Sequence, residues 1–177
     1  MDYMTPEVRA LIGTTSKPIV AWDHVEASEI RRMAQAVMDD DPIYWDEKYA
    51  AASKYGGIVA PPLFPLHAHK PDPRKPDLLA AASTDPDFDG YGQGYPEMFD
   101  LPEVPIPLNR LLNGGNDLEL YALARPGDRV VAVCSYKDIY QKEGKSGPLV
   151  FIVTETRYTV ESSGQLLMIS RHTRIFR

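Results

Sequence analysis

From Leu118 to the C-terminus apolar residues recur at every second position, and that alternation most narrows what this chain can become. Four runs carry it: LELYALA (118–124), RVVAVCSYKDIY (129–140), PLVFIVTETRYTV (148–160) and QLLMISRHTRIF (165–176). RPGD, QKEGKSG and ESSG separate them, each rich in turn-forming residues. Strands joined by connections this short are antiparallel. Val130 to Val133 make both faces of the second run apolar, whereas Glu155 and Arg157 alternate with Thr154, Thr156 and Tyr158 in the third.

Earlier in the chain the period is 3.6. Lys17 to Trp22 reads as a short strand. Ile30, Met33, Ala34, Val37 and Met38 then fall on one helical face, with Glu26 and Glu29 suiting its first turn. Pro42 is the predicted stop. The run Asp39, Asp40, Asp41 sits at the end of that helix where negative charge is unfavourable, which suggests a purpose other than helix stability. A second helix over DEKYAAAS (46–53) has Asp46 as its cap and Gly56-Gly57 as its end. Pro61-Pro62 opens a third, LFPLHAHK, with the small apolar interior of a buried helix.

Half of the 16 prolines lie between Pro71 and Pro107. No helix and no central strand survives that spacing, beyond one short turn at Leu78 to Ala82. The stretch at about 70–108 is therefore an insertion. Its aromatic residues Phe88, Tyr91, Tyr95 and Phe99 are expected to pack on the domain or a partner, with Asp85 to Gly94 its loosest part. The expected whole is one α+β domain over 1–177, an antiparallel sheet wrapped around a central helix.

At 177 residues the chain has room for one such domain. A net charge of −6 without a basic run argues against nucleic acid. No apolar stretch is long enough to span a membrane, and the N-terminus does not read as a signal peptide. A single cysteine, Cys134, excludes an intramolecular disulfide and a cysteine-rich metal site, and makes the cytoplasm the expected compartment. Cys134, in mid-strand, is expected in the core. His67 and His69, two apart, make a poor metal pair: one should pack and one should face solvent. His24 and His172 have no local acidic pattern beside them. Phosphate-binding glycine loops and the GxSxG nucleophile motif are absent.

The stretch MDDDPIYWDEKYA (38–50), followed by YGGIVAPPLF (55–64), resembles the signature of MaoC-like (R)-specific enoyl-CoA hydratases, roughly GDxNPIHxDxxxA and then a glycine-rich turn. The match runs through Asp39, Pro42, Ile43, Asp46 and Ala50. LNGGNDLELYALARPGDRV and YQKEGKSGPLVFIVTETRYT resemble the later part of the same family, most closely its FAS1-like, or MaoC N-terminal, dehydratase subgroup.

The resemblance implies a hot-dog fold and an acyl thioester carried by coenzyme A or acyl carrier protein, with no other cofactor and no metal. It implies addition of water to a 2-enoyl thioester, or the reverse, with an Asp and a His handling the protons and a backbone N–H polarising the carbonyl. The Asp falls on Asp39 and the His on Tyr44, whose pKa near 10 suits no base at neutral pH. The amide position falls near Pro61, which has no N–H; Ala60 is left as a donor. Ala60, Pro62, Phe64, Asn113, Gly114 and Gly115 are the substrate-binding candidates on the same resemblance.

Both departures suggest the half of a hydratase or dehydratase that lacks the complete Asp/His pair, partnered in a hot-dog dimer by a catalytic subunit. A second catalytic domain would then be another chain. The alternatives are a self-sufficient homodimer using Asp39 and Tyr44, a catalytically silent thioester-binding protein and, more remotely, a thioesterase. The simpler reading of Asp39, a loop carboxylate at the helix C-terminus with no active role, stands ahead of direct catalysis by this chain.

Overall fold

The computed structural model describes residues 2–70, 74, 99–145 and 147–177. Among the described residues five strands form one antiparallel sheet in the order β1-β3-β4-β5-β2: β1 Ile19–Val20, β2 Leu111–Leu120, β3 Val130–Gly144, β4 Gly147–Val160 and β5 Leu166–Phe176. The helices among these residues are α1 Pro6–Ala10, α2 Ala27–Ala36, α3 Glu47–Ala52 and α4 Phe64–Ala68, with a 3₁₀ turn at Pro42–Tyr44. No helix among the described residues is long and apolar enough to cross a membrane.

The alternating pattern becomes the two faces of the sheet. Along β4 every even residue from Val150 to Val160 is buried. Register then places Tyr136, Thr154 and His172 in one cross-strand row on that inner face, and Cys134, Thr156 and Ser170 in the next. On the outer face charges tie the strands together. Arg171 of β5 reaches Glu155 of β4 at 2.6 Å and also pairs with Glu119 beside it on β2. Lys137 of β3 approaches Glu155 at 3.6 Å.

The expected strand Lys17 to Trp22 is reduced to Ile19–Val20, β3 runs on to Gly144, and the largest departure from the sequence reading is in β2. The first C-terminal strand is LLNGGNDLEL, not LELYALA: Tyr121 to Ala124 lie beyond it. That strand pairs with β5 and not with its sequence neighbour β3, so 121–129 is a crossover that carries the chain to the opposite side of the sheet. Alternation alone does not say which strands pair, because any of the four could present the same faces to one another.

The two sides of the sheet are finished differently. Along β3 the N-terminal segment supplies partners: β1 pairs at Ile19 and Val20, Thr15 bridges Ser135, and the Gly13 N–H donates to the Tyr136 carbonyl at 2.8 Å. On the other side β2 has no second partner strand among the described residues and is exposed over nearly its whole length. Unpaired edges of that length invite another strand.

The inner face is covered by helix side chains and by the segment after the proline-rich insertion. Ile30 and Ala34 of α2, Phe64 of α4, and Phe99, Leu101 and Val104 are all buried in one core with Val130, Ile152 and Met168. The Tyr136 hydroxyl donates to the Pro102 carbonyl at 2.7 Å, which fastens that segment over the sheet. Of the insertion's aromatics, Phe99 is packed as expected; Phe88, Tyr91, Tyr95, the Leu78 to Ala82 turn and the stretch Asp85 to Gly94 lie outside the described residues.

Two helix expectations are corrected. α2 stops at Ala36, well before Pro42. Val37 caps it, and Met38 turns into the left-handed region at φ 58° and stands 90% exposed, so neither residue belongs to the buried stripe. In α4 only Phe64 and Pro65 are buried; Leu63 and Leu66 face solvent. A five-residue helix, with Pro65 accommodated in its first turn, turns just one narrow side to the core.

His69, just past α4, packs against the Tyr158 ring at 5.7 Å, and its buried Nε2 has no hydrogen-bond partner among the described residues. Burial pushes its pKa down to about 4. The folded state therefore resists protonating a group that the unfolded chain protonates near pH 6.5, and stability falls as pH drops from about 6.5 toward 4. His69→Phe keeps the ring contact and removes the titration. Urea denaturation across that window should show a flatter loss of stability in the variant than in the wild type.

Candidate functional site

The site is a loop between two helices held in the core. After Ala36 the chain needs a sharp reversal, and Met38 makes it in a conformation that favours glycine. Glycine is also what the hydratase signature has at this position. The acidic run then serves the next element: the Asp41 carboxylate accepts from the Ile43 N–H at 3.1 Å and caps the 3₁₀ turn that Pro42 begins. Asp39 Oδ1 accepts from the Asp41 N–H at 3.2 Å, and the Asp39 N–H returns to the Ala34 carbonyl at 2.9 Å. Asp46 caps α3 by accepting from Lys48 and Tyr49, as its position predicts.

Asp39 and Tyr44 end up in different environments. Asp39 is exposed and lines an open groove of about 550 Å³ with Arg31, Gln35, Asp40, Met38 and the half-exposed Trp45. Tyr44 points inward and is 6% exposed. Burial pushes its phenol above the usual value, and the charges of Asp39 and Asp41, together with a side-chain hydrogen bond to Asp39, push it the same way. The structure thus brings Asp39 and Tyr44 together, with the phenol held firmly protonated.

The family resemblance calls for an amide at the start of α4 that can face a carbonyl. Pro61, Pro62 and Pro65 have no N–H. The Phe64 N–H donates to the Pro61 carbonyl at 2.9 Å. Ala60 does not serve as the expected free donor: its N–H binds the Ala124 carbonyl at 2.8 Å, and the residue is fully buried. Pro62 is half-buried, and Phe64 sits in the core with its ring edge against His67 at 5.5 Å.

Asn113, Gly114 and Gly115 are on the exposed edge strand, at a bulge in the β2–β5 ladder. Asn113 accepts from the Gly115 N–H at 2.8 Å, and Gly115 has φ 108°. A Cβ on Gly114 would meet the Thr173 side chain at 2.8 Å, so only glycine allows this approach. β2 packs chiefly on β5, and no interaction joins these three residues to Asp39 or Tyr44 among the described residues.

One cluster escaped sequence reading. Glu29 in the first turn of α2 takes His67 at 2.9 Å and Lys70 at 3.0 Å on one oxygen, and Arg32 at 3.2 Å on the other. Its pKa falls to about 2, first through the His67 hydrogen bond and then through Lys70. The clamp ties α2 to the end of α4 across 38 residues of sequence, a separation that no local pattern reveals. His67 is thus at the surface and His69 packed, as their spacing suggested, and Cys134 is buried in the sheet. No group of three or more metal-ligating side chains occurs among the described residues.

An antiparallel sheet holding a short central helix against its inner face defines a hot-dog protein, and comparison with solved structures agrees. The ChsH1-ChsH2 complex from Mycobacterium tuberculosis superposes with a TM-score of 0.67 at 21% identity, over 95% of this chain and 85% of that one. The HadBC (3R-hydroxyacyl-ACP dehydratase) complex of the same organism gives 0.59 at 17% identity, over 93% and 96%. The R-hydratase PhaJ1 of Pseudomonas aeruginosa gives 0.55 at 13%, over 92% and 79%. Residues 10–169 match the family described as FAS1-like, dehydratase domain region, and the chain belongs to that family of MaoC-like dehydratases. A UPF0336 protein from Thermobifida fusca is 25% identical over 116 residues, 66% of this chain; the match spans 62% of that relative's length.

Asp39→Asn removes a negative charge that acts on Tyr44. The titration of Tyr44, followed by NMR of ring-labelled tyrosine, should move down in the variant and still stay above 10, because burial persists.

Proposed function

We propose that this chain is the subunit of an acyl-thioester hydratase or dehydratase that lacks the complete Asp/His pair, working beside a catalytic hot-dog subunit. The observation that carries this reading is Tyr44 at the histidine position, buried and with its pKa raised. Hydration adds the water oxygen to C3 of the enoyl group and a proton to C2. A base must take a proton from water, an acid must supply one to C2, and the thioester oxygen must be stabilised while it carries enolate charge. A phenol held protonated above pH 10 cannot be that base. The prolines and the engaged Ala60 amide leave the start of α4 poor in donors for the oxygen. The open β2 edge supplies the means of assembly, since pairing with a second hot-dog sheet satisfies its free backbone groups. The solved ChsH1-ChsH2 and HadBC assemblies are complexes of two different chains, which supports a hetero-oligomer here. Coenzyme A or acyl carrier protein would carry the substrate.

The test is hydration of crotonyl-CoA by the purified chain, alone and with a co-expressed hot-dog subunit whose Asp/His loop is intact. The complex should be active, and Asp39→Asn in this chain should cost little. Loss of the partner's Asp or His should cost about 10²–10⁴-fold or more. Light scattering should show a dimer or hetero-oligomer, and a stable monomer at micromolar concentration would count against edge pairing. The second reading, a self-sufficient homodimer, is favoured by the Asp39–Tyr44 side-chain interaction. It prevails if the chain alone turns over faster than roughly 1 s⁻¹ and Tyr44→Phe removes most of that rate.

A further inference from the structure

Where β2 begins and β5 ends, two arginines stand opposite each other. The Arg110 N–H donates to the Arg177 carbonyl at 3.2 Å, and the Arg177 N–H donates to the Arg110 carbonyl at 2.9 Å. Residues that exchange both bonds across an antiparallel ladder project their side chains from the same face. Like charges placed this way repel and cost stability. Arg171 and Arg129, elsewhere on the sheet, each have a glutamate in reach. Among the described residues no carboxylate lies within ion-pairing distance of the Arg110 or Arg177 guanidinium.

Both arginines line a groove of about 530 Å³, together with Tyr3, Leu108, Asn109 and the start of β4 at Pro148. No acidic side chain among the described residues lines it. The α-carboxylate of Arg177, where free, offsets one of the two charges.

We propose that this groove binds the phosphate of a nucleotide-sized ester, gripped between Arg110 and Arg177. Two planar guanidinium forks match the oxygens of a phosphate monoester, and a dianion between them replaces repulsion by two charge-assisted contacts. Asn109 adds amide hydrogen-bonding capacity. The volume lies within the roughly 300–1,000 Å³ of small-ligand sites, more than a bare phosphate fills, and Leu108 and Pro148 offer an apolar wall to the rest of the ligand.

Arg110 is at the far end of β2 from Leu120 and the crossover that binds Ala60, roughly 30 Å away at about 3.4 Å per residue. The groove is therefore distinct from the start of α4, and lies beside the Asn113 to Gly115 bulge at the same end of β2. Pairing of β2 with an equivalent strand runs the two antiparallel, which sets Arg110 of one subunit beside the opposite end of β2 in the other. The phosphorylated adenosine end of coenzyme A bound at the paired subunit is the ester this arrangement would hold, an assignment that rests on the acyl-thioester reading above.

Titration calorimetry of the full chain with adenosine 3′,5′-bisphosphate tests the groove. That probe lacks pantetheine and acyl group, so it reads the arginine pair whether or not the protein supports hydration. Binding should weaken with salt. Arg110→Gln and Arg177→Gln should each weaken it about tenfold to a hundredfold, Arg110→Lys less, and Lys17→Gln on the far side of the sheet not at all. Both arginines are exposed and their ladder bonds are backbone bonds, so unchanged circular dichroism is expected for every variant. Undiminished binding in the double glutamine variant, or no binding by the wild type, overturns the proposal. Inorganic phosphate binding as tightly as the bisphosphate overturns its nucleotide part. Arginine-dependent binding in a complex that fails to hydrate crotonyl-CoA upholds the groove and refutes the hydratase reading.

Discussion

One face of β3, β4 and β5 has to leave water, and that requirement places the other elements. The face carries Val130, Ala132, Val150, Ile152, Val160 and Met168, each at most 2% exposed. Fully burying a valine, isoleucine or methionine side chain stabilises by about 1.5–3 kcal/mol. The face also carries Thr154, Thr156, Ser170, Arg174 and Tyr136, whose polar atoms need partners once buried. The cover is accordingly mixed. Ile30, Phe64 and Phe99 supply apolar surface, and the Pro102 carbonyl accepts from Tyr136. This requirement explains why a proline-rich insertion ends in a packed segment: Phe99, Leu101 and Val104 are part of the core's lid on the sheet.

The same requirement shapes the candidate site. α2 is fixed by Ile30 and Ala34 and α3 by Ala50, so the ten residues between the two helices must turn within a short span. The turn is built from carboxylates that cap neighbouring N–H groups, plus Met38 in a left-handed conformation. It leaves Asp39 in solvent and Tyr44 in the core. At the other end of α2, Glu29 holds His67 and Lys70, so one helix couples the acidic loop to the central helix. The proline-rich start of α4 suits this architecture, since residues without an N–H leave no orphaned donor in a buried turn. It suits carbonyl activation poorly, for the same reason.

The fold supplies one protected side and one open side. The N-terminal segment closes β3, whereas β2, with its glycine bulge, has no second partner strand among the described residues. Outer-face ion pairs stiffen this open side: Arg171 spans Glu119 and Glu155, which holds β2 on the sheet without covering its edge. A strand edge left unpaired in this way is suited to pairing with another sheet.

The sequence alone determined the features that local periodicity and short-range chemistry dictate. The antiparallel strands, the Asp46 cap and the burial of Ile30 and Ala34 are legible because each depends on neighbours within a few residues. The placement of Asp39 and Tyr44 in one loop is legible through the spacing of a known motif. Features that only the tertiary structure decided involve partners distant in the chain. That Ala60's amide is taken by Ala124, that Glu29 meets His67, and that β2 joins β5 rather than β3 all depend on closing long loops over a shared core. The early end of α2 belongs with these. Val37 and Met38 have the right spacing for the apolar stripe, yet the core stops at Ala34, and periodicity carries no information about where the surface it faces comes to an end.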